Sequence, residues 1–129
     1  MESPTALSIL VLVLLLQLKH AICDGPLQLR WMVMEKSVYG KPGGLAHAGL
    51  HGLGSVVALL VFGVGAGLTL LLALIDTAVH YHTDFAKAAL VKRLGWTAND
   101  SYFWWSFAAD QTVHNITYIA MAAAVVMWA

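Results

Sequence analysis

The sequence has few charged residues and no surplus of either sign. Charged types make up 11% of its 129 residues, against roughly 25% in typical soluble proteins. Seven Lys and Arg balance seven Asp and Glu, so the formal net charge is zero. No basic surplus is available to neutralise the phosphates of a nucleic acid. A nucleic-acid partner is therefore excluded from the candidate functions.

Cysteine is almost absent, and so are the features that divide a chain into parts. The single Cys23 cannot form an internal disulfide, so the fold does not depend on one. The sequence has no internal repeat, low-complexity tract or charged linker, and its length suits one domain. We therefore predict a single domain over residues 1–129. What the sequence has in abundance is apolar residues, at 60%.

Those apolar residues fall into four segments, each long enough to cross a bilayer, which takes about 20 residues. The predicted spans are residues 5–23, 45–64, 68–88 and 103–129. Lipid offers no partner for free N–H and C=O groups, so each span must be helical. The sequence predicts an all-α protein, an integral membrane four-helix bundle with the lipid bilayer as its surroundings.

The positive charges predict the orientation of these spans. Six of the seven Lys and Arg lie in or beside the first and third connections. The positive-inside rule places those connections in the cytoplasm and both termini outside. Span 5–23 has an alternative interpretation as a signal peptide, because small residues precede Asp24. The start at Met1-Glu2 lacks the usual positive charge, which favours a retained helix.

Each predicted span carries ionisable residues four positions apart, a spacing that places them on one face of a helix. The pairs are His20 and Asp24, His47 and His51, Asp76 with His80 and Asp84, and Asp110 and His114. With the predicted orientation, all four fall in the cytoplasmic half at similar depth. An Asp at the centre of a membrane helix costs roughly 2.5–3.5 kcal/mol. We therefore expect these side chains to face one another inside the bundle.

Imidazoles and carboxylates gathered in this way predict a metal site. Mixed nitrogen and oxygen ligands suit a transition metal such as Zn, Mn, Fe or Ni better than Ca or Mg. The candidate ligands are His20, Asp24, His47, His51, Asp76, His80, Asp84, Asp110 and His114. Two alternatives stay open. The polar groups could serve only as interhelical hydrogen bonds, or they could form a proton relay.

Four other residues are expected to have structural roles. His82 lies off the polar face and is expected at the membrane interface. Lys19 is expected to extend to the interface or to face a neighbouring helix. Gly44 and Gly52, with an alanine between them, predict a close approach of span 45–64 to another helix.

Four short motifs carry a resemblance to a known family. They are H-x-x-x-D in "HAICDGPLQ" followed by Lys36, H-x-x-x-H in "HAGLH", H-x-x-x-D-x-x-K in "HYHTDFAK", and D-Q-x-x-H in "DQTVH". In this order they resemble the domain-of-unknown-function 3307 family of small bacterial and phage membrane proteins. The resemblance adds Gln28, Lys87 and Gln111 to the residues of interest. It implies a membrane protein, in the inner membrane of a bacterium, without implying an activity.

Three classes of function fit the sequence. The first is a metal-dependent hydrolase of a lipid or membrane substrate. In it Asp84 or Asp110 would be the general base, and Lys87 would stabilise a developing negative charge. The second is a proton- or ion-coupled transporter, which with four short spans would work as a homo-oligomer. The third is a structural or assembly protein, or a phage pore former, whose polar network only joins helices.

Overall fold

A computed structural model describes residues 4–129, and all regular structure within that range is helical. Residues 1–3, including the Met1-Glu2 start that counts against a signal peptide, lie outside the described residues. The helices are α1 (Ala6–Asp24), α2 (Arg30–Glu35), α3 (Pro42–Phe62), α4 (Ala66–Leu94) and α5 (Ser101–Trp128). The prediction of an all-α fold is confirmed.

The four long helices form a closed ring. Helix α1 packs against α3 and α5, and α4 also packs against α3 and α5. Successive long helices run in opposite directions, so the bundle is up-down-up-down. The short helix α2 packs against α3 and buries Met32. Its Glu35 carboxylate accepts a hydrogen bond from the Gly43 amide (2.6 Å) at the start of α3.

Glycines shape the junction between α3 and α4. Helix α3 ends at Phe62 and is capped by Gly63, whose φ of 95° is left-handed and suits glycine best. Only three residues then separate the two helices, which forces them into an antiparallel hairpin. Gly52 lets α3 approach α4 closely, because a Cβ at this position would overlap the hydroxyl of Thr77. The predicted close approach of this segment is therefore confirmed at Gly52.

A compact apolar core fills one half of the bundle. Leu12 and Leu16 of α1, Leu59 of α3, and Tyr118 and Val125 of α5 meet there, each almost completely buried. The other half contains the polar residues predicted to face inward. The outer surface shows the reverse pattern, because long apolar side chains project outward along all four long helices.

Two helices, α1 and α3, are long and apolar enough to cross a membrane, a property that buried core helices of soluble proteins share. Helices α4 and α5 were also predicted to be spans, and the structure supports them as helices only. Predicted and observed bounds differ by a few residues, apart from α4, which continues to Leu94 instead of ending near residue 88. Helix α2 was not predicted from the sequence.

Candidate metal centre

The polar residues of the four long helices converge in one half of the bundle. The end of α1, the first half of α3, the second half of α4 and the first half of α5 each contribute an i, i+4 pair. This spacing stacks the two side chains of a pair on one helix face. Among the histidines, His47, His51, His80 and His114 are each at most 1% exposed. We call this group the His/Asp cluster. It consists of Asp24, Asp84 and the five histidines around them, which are His20, His47, His51, His80 and His114.

Asp24 of α1 joins three imidazoles. His51 Nε2 donates to Asp24 Oδ1 at 2.8 Å. His47 Nε2 lies 3.1 Å from the same oxygen, and His20 Nε2 lies 2.9 Å from Oδ2. A single carboxylate therefore connects α1 to the first half of α3.

Asp84 of α4 joins the other side of the cluster. Its Oδ1 lies 3.2 Å from His114 Nε2 of α5. Its Oδ2 lies 3.3 Å from His80 Nε2 and 3.4 Å from His47 Nε2. The same oxygen lies 2.8 Å from the ammonium of Lys36, in the connection that follows α2. His47 thus stands between the two carboxylates.

The imidazole rings stack in a continuous row. The ring of His80 lies between those of His51 and His114, with centroid distances of 3.6 and 4.0 Å and nearly parallel planes. Rings at this distance would repel one another if they were protonated. Charging two neighbouring rings of this row would therefore cost free energy, and the neutral form of imidazole is the one that binds metal.

Two overlapping sets of ligand atoms result. The first set is Asp24, His47, His51 and His80, and the second is His80, Asp84 and His114. Within each set the ligand atoms lie within 4.8 Å of one another. Ligands that surround one zinc at about 2.1 Å lie roughly 3.4 Å apart when arranged tetrahedrally. Four of the nitrogen–oxygen distances given above, at 3.1–3.4 Å, lie near this value, whereas those of 2.8 and 2.9 Å are hydrogen-bond lengths.

Several of these atoms lack a hydrogen-bond partner among the described residues. Neither ring nitrogen of His47 or of His80 has a hydrogen-bond partner there, and Asp84 Oδ2 has none either. Their close contacts lie at ion-pair distance, but the angles are wrong for hydrogen bonds. Buried polar atoms are rarely left unpaired, because each costs about 1–3 kcal/mol. A cation held between them would satisfy imidazole nitrogens and a carboxylate oxygen together.

His20 differs from the other histidines, because its neighbours satisfy both ring nitrogens. Tyr118 donates its hydroxyl hydrogen to Nδ1 (2.7 Å). Nε2 then carries a hydrogen that points at Asp24 Oδ2 (2.9 Å) and Gln111 Oε1 (3.0 Å). In this arrangement His20 positions Asp24 and belongs to neither ligand set.

Asp76 lies apart from the two ligand sets. Its Oδ2 accepts from Lys19 Nζ at 2.7 Å and from Ser55 Oγ at 2.6 Å. Lys19 also donates to the carbonyl of His51 at 3.1 Å. Lys19 and Asp76 are both buried, so of the two positions expected for Lys19, the structure has the one that faces a neighbouring helix. Asp76, a predicted ligand, instead balances a buried ammonium one helical turn from the cluster.

Asp110 and Lys87 stand at the edge of the cluster. Asp110 Oδ1 lies 3.4 Å from His114 Nε2, and Oδ2 accepts from Gln111 Nε2 at 3.1 Å. Lys87 Nζ lies 3.5 Å from Oδ2. A cavity of about 360 Å³ reaches this edge and contacts both carboxylates of the cluster. Water and a small polar group can therefore approach Asp84 from outside the bundle.

Sequence reasoning missed several residues of this half of the bundle. Tyr118 of α5 is completely buried beside the cluster, whereas the neighbouring Thr117 bonds its own helix. The i, i+4 spacing from His114 would have found Tyr118. The same spacing from His51 would have found Ser55, whereas no spacing signal points to the contact between Lys36 and Asp84, because Lys36 lies outside the long helices. His82 is exposed and its ring forms a hydrogen bond with the hydroxyl of Tyr39, so it lies off the polar face as predicted.

Together, the fold and the cluster define an all-helical protein with a buried histidine and aspartate site. The family model described as "Protein of unknown function (DUF3307)" matches residues 10–129 of the chain. This covers nearly the whole chain, so the protein belongs to that family, as its four motifs predicted. No curated protein and no solved structure matches the chain. The description of the family assigns no activity, so its chemistry has to come from the geometry of the site.

Proposed function

We propose that this protein binds a transition metal at the His/Asp cluster. The observation that carries the proposal is the pair of ligand sets that share His80. Helix packing alone needs hydrogen bonds, and the buried nitrogens of His47 and His80 make none among the described residues. The donor set is imidazole nitrogen and carboxylate oxygen, which suits Zn, Mn, Fe or Ni. A Ca or Mg site would be built from oxygen ligands instead.

We further propose that the bundle spans a membrane. Its surface supports this, because apolar side chains such as Leu7, Val61 and Leu74 are about 70% exposed. Polar groups inside and apolar groups outside are the arrangement that lipid favours. Trp31, Trp96, Trp104 and Trp105 would then mark the cytoplasmic interface, at the end of the bundle that holds the cluster. The four-span topology follows from the same proposal.

A hydrolase acting on a lipid or membrane substrate is the activity that this site supports best. A bound metal lowers the pKa of a coordinated water and so supplies a nucleophile at neutral pH. Asp84 or Asp110 would accept the proton, since both line the cavity that reaches the cluster. Lys87 lines it too and would stabilise negative charge on the substrate. Transport by a single chain is less favoured, because the apolar core closes the other half of the bundle.

Metal analysis tests the proposal directly. The chain would be purified without a histidine tag, and its metal content measured by elemental analysis before and after incubation with Zn, Mn, Fe or Ni. His80→Ala removes the residue shared by both ligand sets. His82→Ala is the matched control on the same helix, because His82 is exposed and outside the cluster. We expect His80→Ala to lose most of the metal and His82→Ala to keep it.

Thermal unfolding gives a second measurement on the same samples. A metal at 100 times its dissociation constant stabilises the folded state by about 2.7 kcal/mol. The melting temperature of the wild type should therefore rise on metal addition, and that of His80→Ala should not. If the wild type holds no metal and none of the four metals changes its melting temperature, the proposal is wrong. Interhelical hydrogen bonding would then be the better account of the cluster.

A further inference from the structure

The cavity at the edge of the cluster continues into a larger groove. Gln28, Lys36, Lys87 and Phe107 line both. The groove has a volume of about 540 Å³ and lies between α2, the end of α4 and the start of α5. Beyond the shared residues its walls are mainly apolar, including Val33, Val91 and Phe103. The polar cluster is thus joined to an apolar groove through a mouth that carries two lysines.

Each of the two lysines at this mouth lies within ion-pair distance of one carboxylate. Lys36 Nζ donates to Gln28 Oε1 at 2.6 Å and lies 2.8 Å from Asp84 Oδ2, without the geometry of a hydrogen bond to that oxygen. Lys87 Nζ is 3.5 Å from Asp110 Oδ2, and its side chain is 24% exposed. If Asp84 binds a metal, the ammonium of Lys36 loses its main anionic partner. Both lysines then have donors free for another anion.

The charge balance at the mouth also favours the binding of an anion. Three carboxylates, those of Asp24, Asp84 and Asp110, line the cavity together with the two ammonium groups. The mouth therefore carries one net negative charge, which a single divalent cation turns into one net positive charge. The ion pair of Lys19 and Asp76 is neutral and does not alter this balance. A metal-loaded site with two free ammonium groups attracts anions.

We propose that the groove binds an amphiphile with a phosphate head group. The head would lie between Lys36 and Lys87 at the mouth, and the alkyl chain would lie along Val91 and Phe103. A phosphate monoester is favoured because its two negative charges and several oxygens match two ammonium groups beside a cation. This inference rests on the proposed metal site, because metal binding at Asp84 frees Lys36. It names the substrate class of that site.

The test measures the binding of dodecyl phosphate to the full chain in phosphatidylcholine nanodiscs. Isothermal titration calorimetry would be corrected with empty discs, and the metal content of each sample measured in parallel. Inorganic phosphate tests whether binding needs the alkyl chain of the ligand, and dodecyltrimethylammonium tests whether it needs the negative charge of the head group. Lys87→Met removes the ammonium and keeps the apolar stem. Lys41→Met is its control, because Lys41 is exposed and outside the groove.

A second pair of variants tests the groove itself. Val91→Trp fills the groove with a large side chain, and Leu94→Trp places the same side chain on an exposed position outside it. We expect dodecyl phosphate to bind at least tenfold more tightly than inorganic phosphate or the cationic amphiphile. Lys87→Met and Val91→Trp should each weaken its binding about tenfold. Lys41→Met and Leu94→Trp should leave it unchanged.

The outcomes separate this inference from the metal proposal. If metal-loaded protein binds dodecyl phosphate no better than the cationic amphiphile, the inference is wrong and the metal site stands. Equal binding of inorganic phosphate, or no effect of Lys87→Met, would also overturn it. If the protein takes up no metal yet binds dodecyl phosphate through Lys87, the groove is supported and the proposed metal function is wrong.

Discussion

Removing either charge of the buried pair between Lys19 and Asp76 should destabilise the bundle strongly. Lys19 Nζ lies 2.7 Å from Asp76 Oδ2, and their side chains are only 7% and 1% exposed. Lys19→Met removes the ammonium and keeps an unbranched apolar side chain. Asp76→Asn removes the charge and keeps the shape. Each single change leaves the other charge buried without its counterion, whereas the double change leaves no charge.

The expected size follows from the surroundings of each group. Losing one partner of a buried ion pair costs about 3–5 kcal/mol. In Lys19→Met the carboxylate keeps only the hydroxyl of Ser55, so the loss should lie at the upper end. In Asp76→Asn the ammonium keeps the carbonyl of His51, so the loss should lie at the lower end. The double variant leaves no charge unpaired, so it should lose less stability than either single variant, and the two single losses should be far from additive.

The assay is equilibrium unfolding in mixed micelles with an increasing fraction of dodecyl sulfate, followed by tryptophan fluorescence. Domains are stable by only about 5–15 kcal/mol, so a single variant that fails to fold beside a folded double variant also supports the pair. Single changes that each cost less than about 1 kcal/mol would contradict it. So would losses that simply add in the double variant, because independent sites show no coupling.

Three further predictions follow from other parts of the molecule. Gly52→Val should destabilise the protein by roughly 1–3 kcal/mol, because the valine side chain would collide with Thr77. Gly49→Val is the control and should cost less, because a side chain at Gly49 meets open space. Equal losses in the same unfolding assay would contradict the packing of α3 on α4. The metal content of the protein should fall as the pH drops below about 6.5, since protonated imidazole cannot bind metal. A metal content that stays constant in elemental analysis between about pH 7.5 and about pH 5.5 would contradict histidine ligation. A topology reporter fused after Ala129 should be active only outside the cytoplasm, and cytoplasmic activity would refute the proposed orientation.

The long helices could be predicted from the sequence because apolar length is a strong signal. The prediction placed α1 and α3 within three residues of their observed ends. It ended α4 too early, because Lys92 and Arg93 are charged and the prediction counted apolar residues. Those two residues sit in the last turn of α4, where positive charge favours a helix. The short helix α2 is too brief to carry a periodic pattern.

The paired residues of the site could be predicted because i, i+4 spacing fixes their direction on a helix. Contacts between helices were beyond that rule. The sequence could not distinguish Asp76, which pairs with Lys19, from Asp84, which contacts histidines of three helices. Lys36 was part of a motif, yet its position beside Asp84 depends on how α2 folds back on α3.

The two ligand sets are completed at different points along the chain. Asp24, His47, His51 and His80 form the first set. All four belong to α1, α3 and α4, so they are synthesised before α5. The second set needs His114 of α5 and stays incomplete until the last helix has been made. A metal captured early would hold the first three long helices together while the fourth is still being synthesised, and the ion would then act as an assembly template as well as a cofactor.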